Sequence, residues 1–130
     1  MTHFLLPENA ITVLRGQSRT IGLTVKEPDP DSPCQKYRLM NLTGCTLYFS
    51  VKAAVGDQYP LIFKSSGNPA EIDIIKPREG RALIYLTHLD TDIDPKEYVF
   101  DVWVKLVTGK RNPVIWPSTL KVELGVTKIP

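Results

Sequence analysis

Long apolar runs are missing from this sequence, and so is any helical pattern of about ten residues or more. No run approaches the ~20 residues that a membrane-crossing helix needs. Charge of one sign is also missing. The chain has 16 Lys and Arg against 14 Asp and Glu, a net charge of +2, which gives no reason to expect nucleic acid or a membrane as partner. Cysteine is scarce, with only Cys34 and Cys45. A chain without export signals usually keeps its thiols reduced, so Cys45 reads as a small buried apolar residue and Cys34 as a free thiol in a loop. The opening MTHFLLPENA has a short apolar patch, no basic stretch and no small-residue cleavage site. The expectation is a cytosolic product without a signal peptide.

Catalytic patterns are scarce too. The two histidines, His3 and His88, have no second His, Cys or acidic partner at metal-ligand spacing. No GxSxG is present, and no Gly-rich loop feeds a helix N-terminus. The best metal candidate is Asp90-Thr91-Asp92-Ile93-Asp94, whose alternate Asp residues match the opening of a calcium loop. Position six of such a loop needs Gly, and Pro95 stands there. Position twelve needs a bidentate Glu, and Asp101 stands there, inside an expected strand. The segment therefore reads as a solvated crossover with capping Asp residues. No enzyme, metal or cofactor is expected.

What the sequence does have is punctuation, with 11 prolines and 8 glycines in 130 residues. The length suits one domain with its own core. The strongest stretch is 96–124. Tyr98, Phe100, Val102, Val104 and Leu106 alternate with Glu97, Val99, Asp101, Trp103 and Lys105. A period of two marks a strand with one face on a core. Thr108 to Asn112 is a turn, and the chain returns with Leu120, Val122 and Leu124 on one face, so the stretch predicts a long antiparallel hairpin.

Other strands are expected at 11–14, 20–25, 37–40, 45–52, 61–64, 72–75 and 81–87. Cys45, Leu47, Phe49 and Val51 would face inward, as would Ala82, Ile84 and Leu86. The segment 26–36 carries three prolines and reads as a surface loop outside any sheet. These spacings predict an all-β, immunoglobulin-like antiparallel sandwich of about eight short strands with Greek-key connections. Tyr98 stands where such sandwiches place a corner tyrosine. The expected division is an N-terminal arm at 1–9, the sandwich at 10–125 and a C-terminal tail at 126–130.

Binding is the readier function. Tyr48, Tyr85, Trp103 and Trp116 are candidates for an aromatic platform for sugar, or for contacts with other subunits. The alternative is that the two Trp only cover the ends of the sandwich. Lys110 and Arg111 make the hairpin tip basic, which suits solvent or an acidic subunit. The candidate interface residues are Phe4, Leu5, Leu6, Trp103, Lys110, Arg111 and Trp116.

Several pieces together bring in a family. NLTGCTLYFSVK at 41–52 resembles the LTGATVxFxVK strand of small immunoglobulin-like proteins encoded among phage tail and baseplate genes. These are similar to the N-terminal domain of phage baseplate upper proteins. PLIFKSSG at 60–67, the Ile-rich run 71–75, GRALIYLT at 80–87, KEYVFDV at 96–102 and the closing strand from Leu120 resemble later parts of that family in the same order. The proline-rich loop 27–36 is longer than in the family, and Lys96 stands where the family often has Gly. The resemblance spans roughly 10–127 and brings no catalytic motif. It implies a structural part of the virion, in the tail, baseplate or fibre attachment, made in the host cytoplasm. Such a part would meet other phage structural subunits by self-association or by exchange of an arm along an exposed sheet edge. A carbohydrate-binding module, or a head decoration or neck protein on the same fold, are the alternatives.

Overall fold

The computed structural model describes residues 10–31, 36–127 and 129. Among them ten strands follow one another: β1 (Ile11–Leu14), β2 (Arg19–Thr24), β3 (Lys26–Pro28), β4 (Tyr37–Leu39), β5 (Thr46–Lys52), β6 (Ile62–Ser65), β7 (Ile72–Lys76), β8 (Arg81–Leu86), β9 (Glu97–Lys105) and β10 (Arg111–Glu123). A 3-10 turn, Pro77–Glu79, separates β7 from β8. The larger sheet runs β1-β10-β9-β5-β6 and the smaller runs β2-β8-β7. Leu47, Phe49, Phe100 and Val102 of the larger sheet share one buried cluster with Leu23, Ile72, Ile84 and Leu86 of the smaller. The two inner faces therefore form one core, and the fold is an all-β sandwich. The chain crosses between the sheets after β1, after β6 and after β8, and by way of β3 and β4 between β2 and β5, while β5–β6, β7–β8 and β9–β10 stay within one sheet. That alternation is the expected Greek-key pattern.

The faces follow the sequence periodicity. In β5, Leu47, Phe49 and Val51 are buried between half-buried neighbours. In β9, Tyr98, Phe100, Val102 and Val104 are buried. The Phe49 and Phe100 rings meet at 5.7 Å in the middle of the sandwich.

Three features correct the expectation. First, the sheets are not wholly antiparallel, since β1 pairs with β10 in parallel, Ile11 opposite Leu120 and Leu14 opposite Glu123. The first and last strands have no short connection to force a hairpin, and parallel pairing is open to them. Second, the described residues hold ten strands rather than about eight, and the proline-rich segment supplies one of them. β3 and β4 form a separate two-stranded ribbon with Pro28 opposite Tyr37. Pro28 occupies the last pair of a ribbon whose outer edges have no strand partner among the described residues, where its missing donor costs little. Across the ribbon, the Arg38 guanidinium on β4 pairs with the Glu27 carboxylate on β3 at 3.0 Å. Third, β10 shifts register between Pro113 and Ile115 and again between Ile115 and Ser118. These irregularities bury Val114 and leave Trp116 exposed.

The crossover from β8 to β9 is not merely solvated. Thr91 is buried, and its hydroxyl donates to the Gln17 carbonyl at 2.8 Å. Asp92 pairs with Arg15 at 3.0 Å. The Asp90 carboxylate accepts from the Thr87 backbone N–H at 2.7 Å, which is the capping role expected. It also meets the Lys64 ammonium at 2.7 Å. Lys64 lies on β6 beside Phe49 and points inward from the edge of the larger sheet. Burial alone would push the Asp90 carboxyl up. The hydrogen bonds from Lys64 and Thr87 outweigh it and hold the group below the usual carboxylate value.

The corner tyrosine is in place. The Tyr98 hydroxyl donates to the Asp94 carbonyl at 2.6 Å, and the ring is buried. Burial, with the Asp94 carboxylate nearby, pushes its pKa up. Removing the hydroxyl leaves that carbonyl without its donor. Tyr98→Phe is expected to cost about 1–2 kcal/mol in urea unfolding, with an unchanged m-value.

Candidate interaction surface

Because Phe49, Val51, Phe100 and Val102 point into the core, their neighbours form the outer face of the larger sheet. Tyr48 lies opposite Trp103, Ser50 opposite Asp101, and Lys52 opposite Val99. On the β6 side, Phe63 lies opposite Ser50. On the β10 side, Pro113 lies opposite Trp103 and Thr119 opposite Val99. The outward residues thus assemble a continuous aromatic and proline strip across four strands.

Local bonds fix the strip. The Tyr48 and Phe63 rings stack at 5.9 Å with 28° between their planes. Stacked aromatic pairs contribute about 0.5–1.5 kcal/mol beyond the area they bury. The Trp103 indole N–H donates to the Asp101 carboxylate at 3.0 Å, which orients the ring along its own strand. Trp103 is 39 % exposed and Phe63 52 % exposed, large values for side chains of this size on a sheet face. Beside Trp103 runs a shallow groove of about 250 Å³, lined by Ser50, Lys52, Val99, Asp101 and Pro117 as well as the indole. An aromatic wall, one carboxylate, one ammonium and one hydroxyl therefore face a single groove.

The hairpin tip continues this face. Leu106 and Lys110 close the turn through a 2.8 Å backbone bond from the Leu106 N–H to the Lys110 carbonyl. Arg111 stands opposite Lys105, two residues beyond Trp103 on β9. Lys105, Lys110 and Arg111 give that end of the sheet a positive charge. Among the described residues, neither Lys110 nor Arg111 takes an ion-pair partner.

Of the candidate residues, Trp103, Lys110 and Arg111 come together at one end of one face. Trp116 is 49 % exposed on the irregular part of β10 and does not line the groove with Trp103. Phe4, Leu5 and Leu6 lie outside the described residues, as do His3 and Cys34. Tyr85 pairs with Thr20 in the smaller sheet, so the four aromatics do not form one platform. Phe63 and Pro117 were missed from the sequence. Phe63 sits between Ile62 and Lys64, and the lysine disguised which face was inward. Cys45 is free and half-buried, and burial pushes its thiol up.

The alternate Asp residues of the β8–β9 crossover serve Lys64, Arg15 and Tyr98, as described above. Among the described residues, no group of three or more His, Cys, Asp or Glu could hold a metal ion. No described helix is long and apolar enough to cross a membrane. The chain matches no known protein-family profile, and a search of curated proteins finds no relative.

Proposed function

We propose that the protein is a non-enzymatic structural component of a phage particle, a tail, baseplate or fibre-attachment part that acts through contacts with other particle subunits. The observation that carries this reading is the strip of Tyr48, Phe63 and Trp103 on the outer face of the larger sheet. A few aromatic anchors usually supply most of the energy of a protein interface. The basic tip at Lys105, Lys110 and Arg111 favours an acidic partner and sets its orientation. The resemblance of 10–127 to phage tail and baseplate proteins is the reason for choosing a particle as the setting. On this reading the chain is made in the host cytoplasm and resides in the virion.

The test is incorporation. Particles purified from the strain that carries the gene are expected to contain this chain at fixed stoichiometry. A Phe63→Glu, Trp103→Glu variant is expected to keep its melting temperature and to be lost from particles. Absence of the chain from particles, or equal incorporation of the variant, overturns the proposal. Labelling within the particle separates a tail position from a head or neck position.

One observation favours a second reading. The groove beside Trp103 joins an aromatic wall to Ser50, Lys52 and Asp101, the combination that a sugar ring needs for stacking and hydrogen bonds. Saturable binding on a glycan array, lost in Trp103→Ala, would select this reading over the first.

A further inference from the structure

A second concavity, of about 310 Å³, opens between the two sheets at the flank where β2 is the edge. Ile11 and Ile115 of the larger sheet and Ile21 and Leu23 of β2 line it, with Phe49 and Phe100 at its floor. Gly22, Thr24 and Lys26 complete the wall on the β2 side. β2 pairs with β8, and its other side has no strand partner among the described residues. The bonds already made fix which groups face that open side. The Val25 N–H donates to the Gly80 carbonyl and its carbonyl accepts from the Met40 N–H, while the Asp29 N–H donates to the Lys36 carbonyl. Successive residues of a strand turn their main-chain groups to opposite sides. Thr20, Gly22, Thr24 and Lys26 therefore turn their donors and acceptors to the open side, in one line from β2 into β3.

This line has two ends. At Arg19 the guanidinium crosses to the Thr12 carbonyl at 3.0 Å and ties β2 to β1. At Pro28, on β3, the next outward N–H is missing, so pairing stops there. Between them lie roughly 20 Å of edge, at about 3.3 Å per residue. Sheet edges are commonly guarded by a proline or an inward charge. β6 has its inward Lys64. Between Arg19 and Pro28 the inward residues are Ile21, Leu23 and Val25, so this stretch carries neither guard. The outer face beside it is cationic. Thr24 stands opposite Arg81, Arg81 stands opposite Lys76, and Lys26 follows two residues along the edge. Among the described residues, none of Lys26, Lys76 and Arg81 takes an ion-pair partner. A strand laid on this edge would put alternate side chains over Ile11 and Ile115, which are only partly buried, and the others beside Lys26 and Arg81.

We propose that the open edge of β2 is a docking site for an extended segment of a partner subunit, added as an antiparallel strand. The segment carries apolar residues at alternate positions, facing the concavity, and acidic residues on its other face toward its N-terminal end. Main-chain bonds to Gly22 and Thr24 supply affinity, the concavity takes the apolar side chains, and Lys26 with Arg81 sets the direction. Antiparallel pairing is the more stable per residue, and it brings the N-terminal end of the segment to Lys26. The inference rests on the proposed role in a particle only for the identity of the partner, since docking is a property of the chain itself.

The probe is a capped peptide of about nine residues, enough to span the edge. It has Val or Ile at every second position, Thr between them, and Glu in place of the two Thr nearest its N-terminus. Titrated into isotope-labelled full-length protein, it is expected to bind saturably and to shift the amide signals of Thr20, Gly22, Thr24 and Lys26. Amide exchange at Gly22 and Thr24 is expected to slow about tenfold near saturation. The same peptide with Lys for Glu is expected to bind roughly tenfold more weakly. In Lys26→Glu, a change at an exposed position, that difference is expected to shrink several-fold while the melting temperature holds. Equal binding of the two peptides, an unchanged difference in Lys26→Glu, shifts confined to another edge, or no saturable binding each overturn the proposal. So do Gly22 and Thr24 amides already protected in the free chain, which would mean that residues 1–9 or a second copy hold the edge. The incorporation test above is read on particles and stands or falls separately.

Discussion

Gly80→Ala is expected to cost about 4 kcal/mol or more and to lower the melting temperature by roughly 10 °C or more. Gly80 ends the 3-10 turn in the left-handed region, at φ 67°. It is also where three distant segments meet. The Val25 N–H donates to the Gly80 carbonyl at 2.7 Å, the Met40 N–H donates to the Val25 carbonyl at 3.0 Å, and the Leu42 N–H donates to the Pro77 carbonyl at 2.7 Å. A Cβ at Gly80 would stand 2.4 Å from the Val25 oxygen and 2.9 Å from the Met40 oxygen. Both are main-chain atoms of that same junction, so neither can yield without disturbing it.

A control separates strain from crowding. Gly16 has φ 80° and nothing within 4 Å of an added Cβ. Gly16→Ala pays only for the left-handed backbone, about 1–2 kcal/mol. The difference between the two variants in urea unfolding is the cost of crowding. Equal losses would mean that the junction around Gly80 gives way easily.

The second large effect belongs to the Lys64–Asp90 pair. Lys64→Met is expected to cost about 2–3 kcal/mol at neutral pH. Removing one partner of a fully buried pair costs about 3–5 kcal/mol, and the Asp90 side chain keeps 22 % of its exposure, which softens the loss. Paired with Asp90→Asn in a double-mutant cycle, the coupling is expected at about 1–3 kcal/mol. The pH dependence fixes the sign. In the native chain the Asp90 carboxyl is held below its unfolded value of 3.8. Its contribution is therefore present above that value and is lost as pH falls through the folded one. In Lys64→Met the burial remains without the ammonium, so the carboxyl moves up and acid relieves the variant. The stability gap between native and variant, measured at pH 7 and at pH 3, is expected to narrow in acid. A constant gap would show that the ion pair contributes nothing beyond packing.

The same lysine marks the limit of reading this fold from sequence. Period two assigned the faces of β5, β8 and β9 because Leu47, Ile84, Phe100 and the apolar residues two away from each form unbroken apolar rows, while the intervening rows are mixed. The Tyr98 corner was legible for the same reason, since its place at the head of β9 fixes the direction of its hydroxyl. β6 was harder. Its Lys64 points inward and its Phe63 outward, the reverse of what hydrophobicity suggests, because Asp90 waits on a crossover 26 residues later in the sequence. An inward charge on an edge strand also discourages stray pairing, a purpose that no local pattern reveals. β3 was hidden by Pro28, and the parallel pairing of β1 by the distance between the strands in sequence. On the outer face, Trp103 and the basic tip were legible as unusual residues on a strand and a turn. Their alignment with Tyr48, Phe63 and Pro113 depends on register across four strands.

The parallel ladder between β1 and β10 has a mechanical consequence. Ile11 lies beside Leu120 and Leu14 beside Glu123, and the Arg15 N–H continues the ladder to the Glu123 carbonyl at 2.8 Å. The chain joins this ladder at one end and leaves it at the other. A pull between the two ends of the chain therefore slides β1 along β10 and loads every bond of the ladder at once. An antiparallel pair pulled from its open end would instead unzip, its bonds breaking in turn. The sandwich therefore meets tension along its ends in shear, and sliding β1 also draws Val13 out of the core.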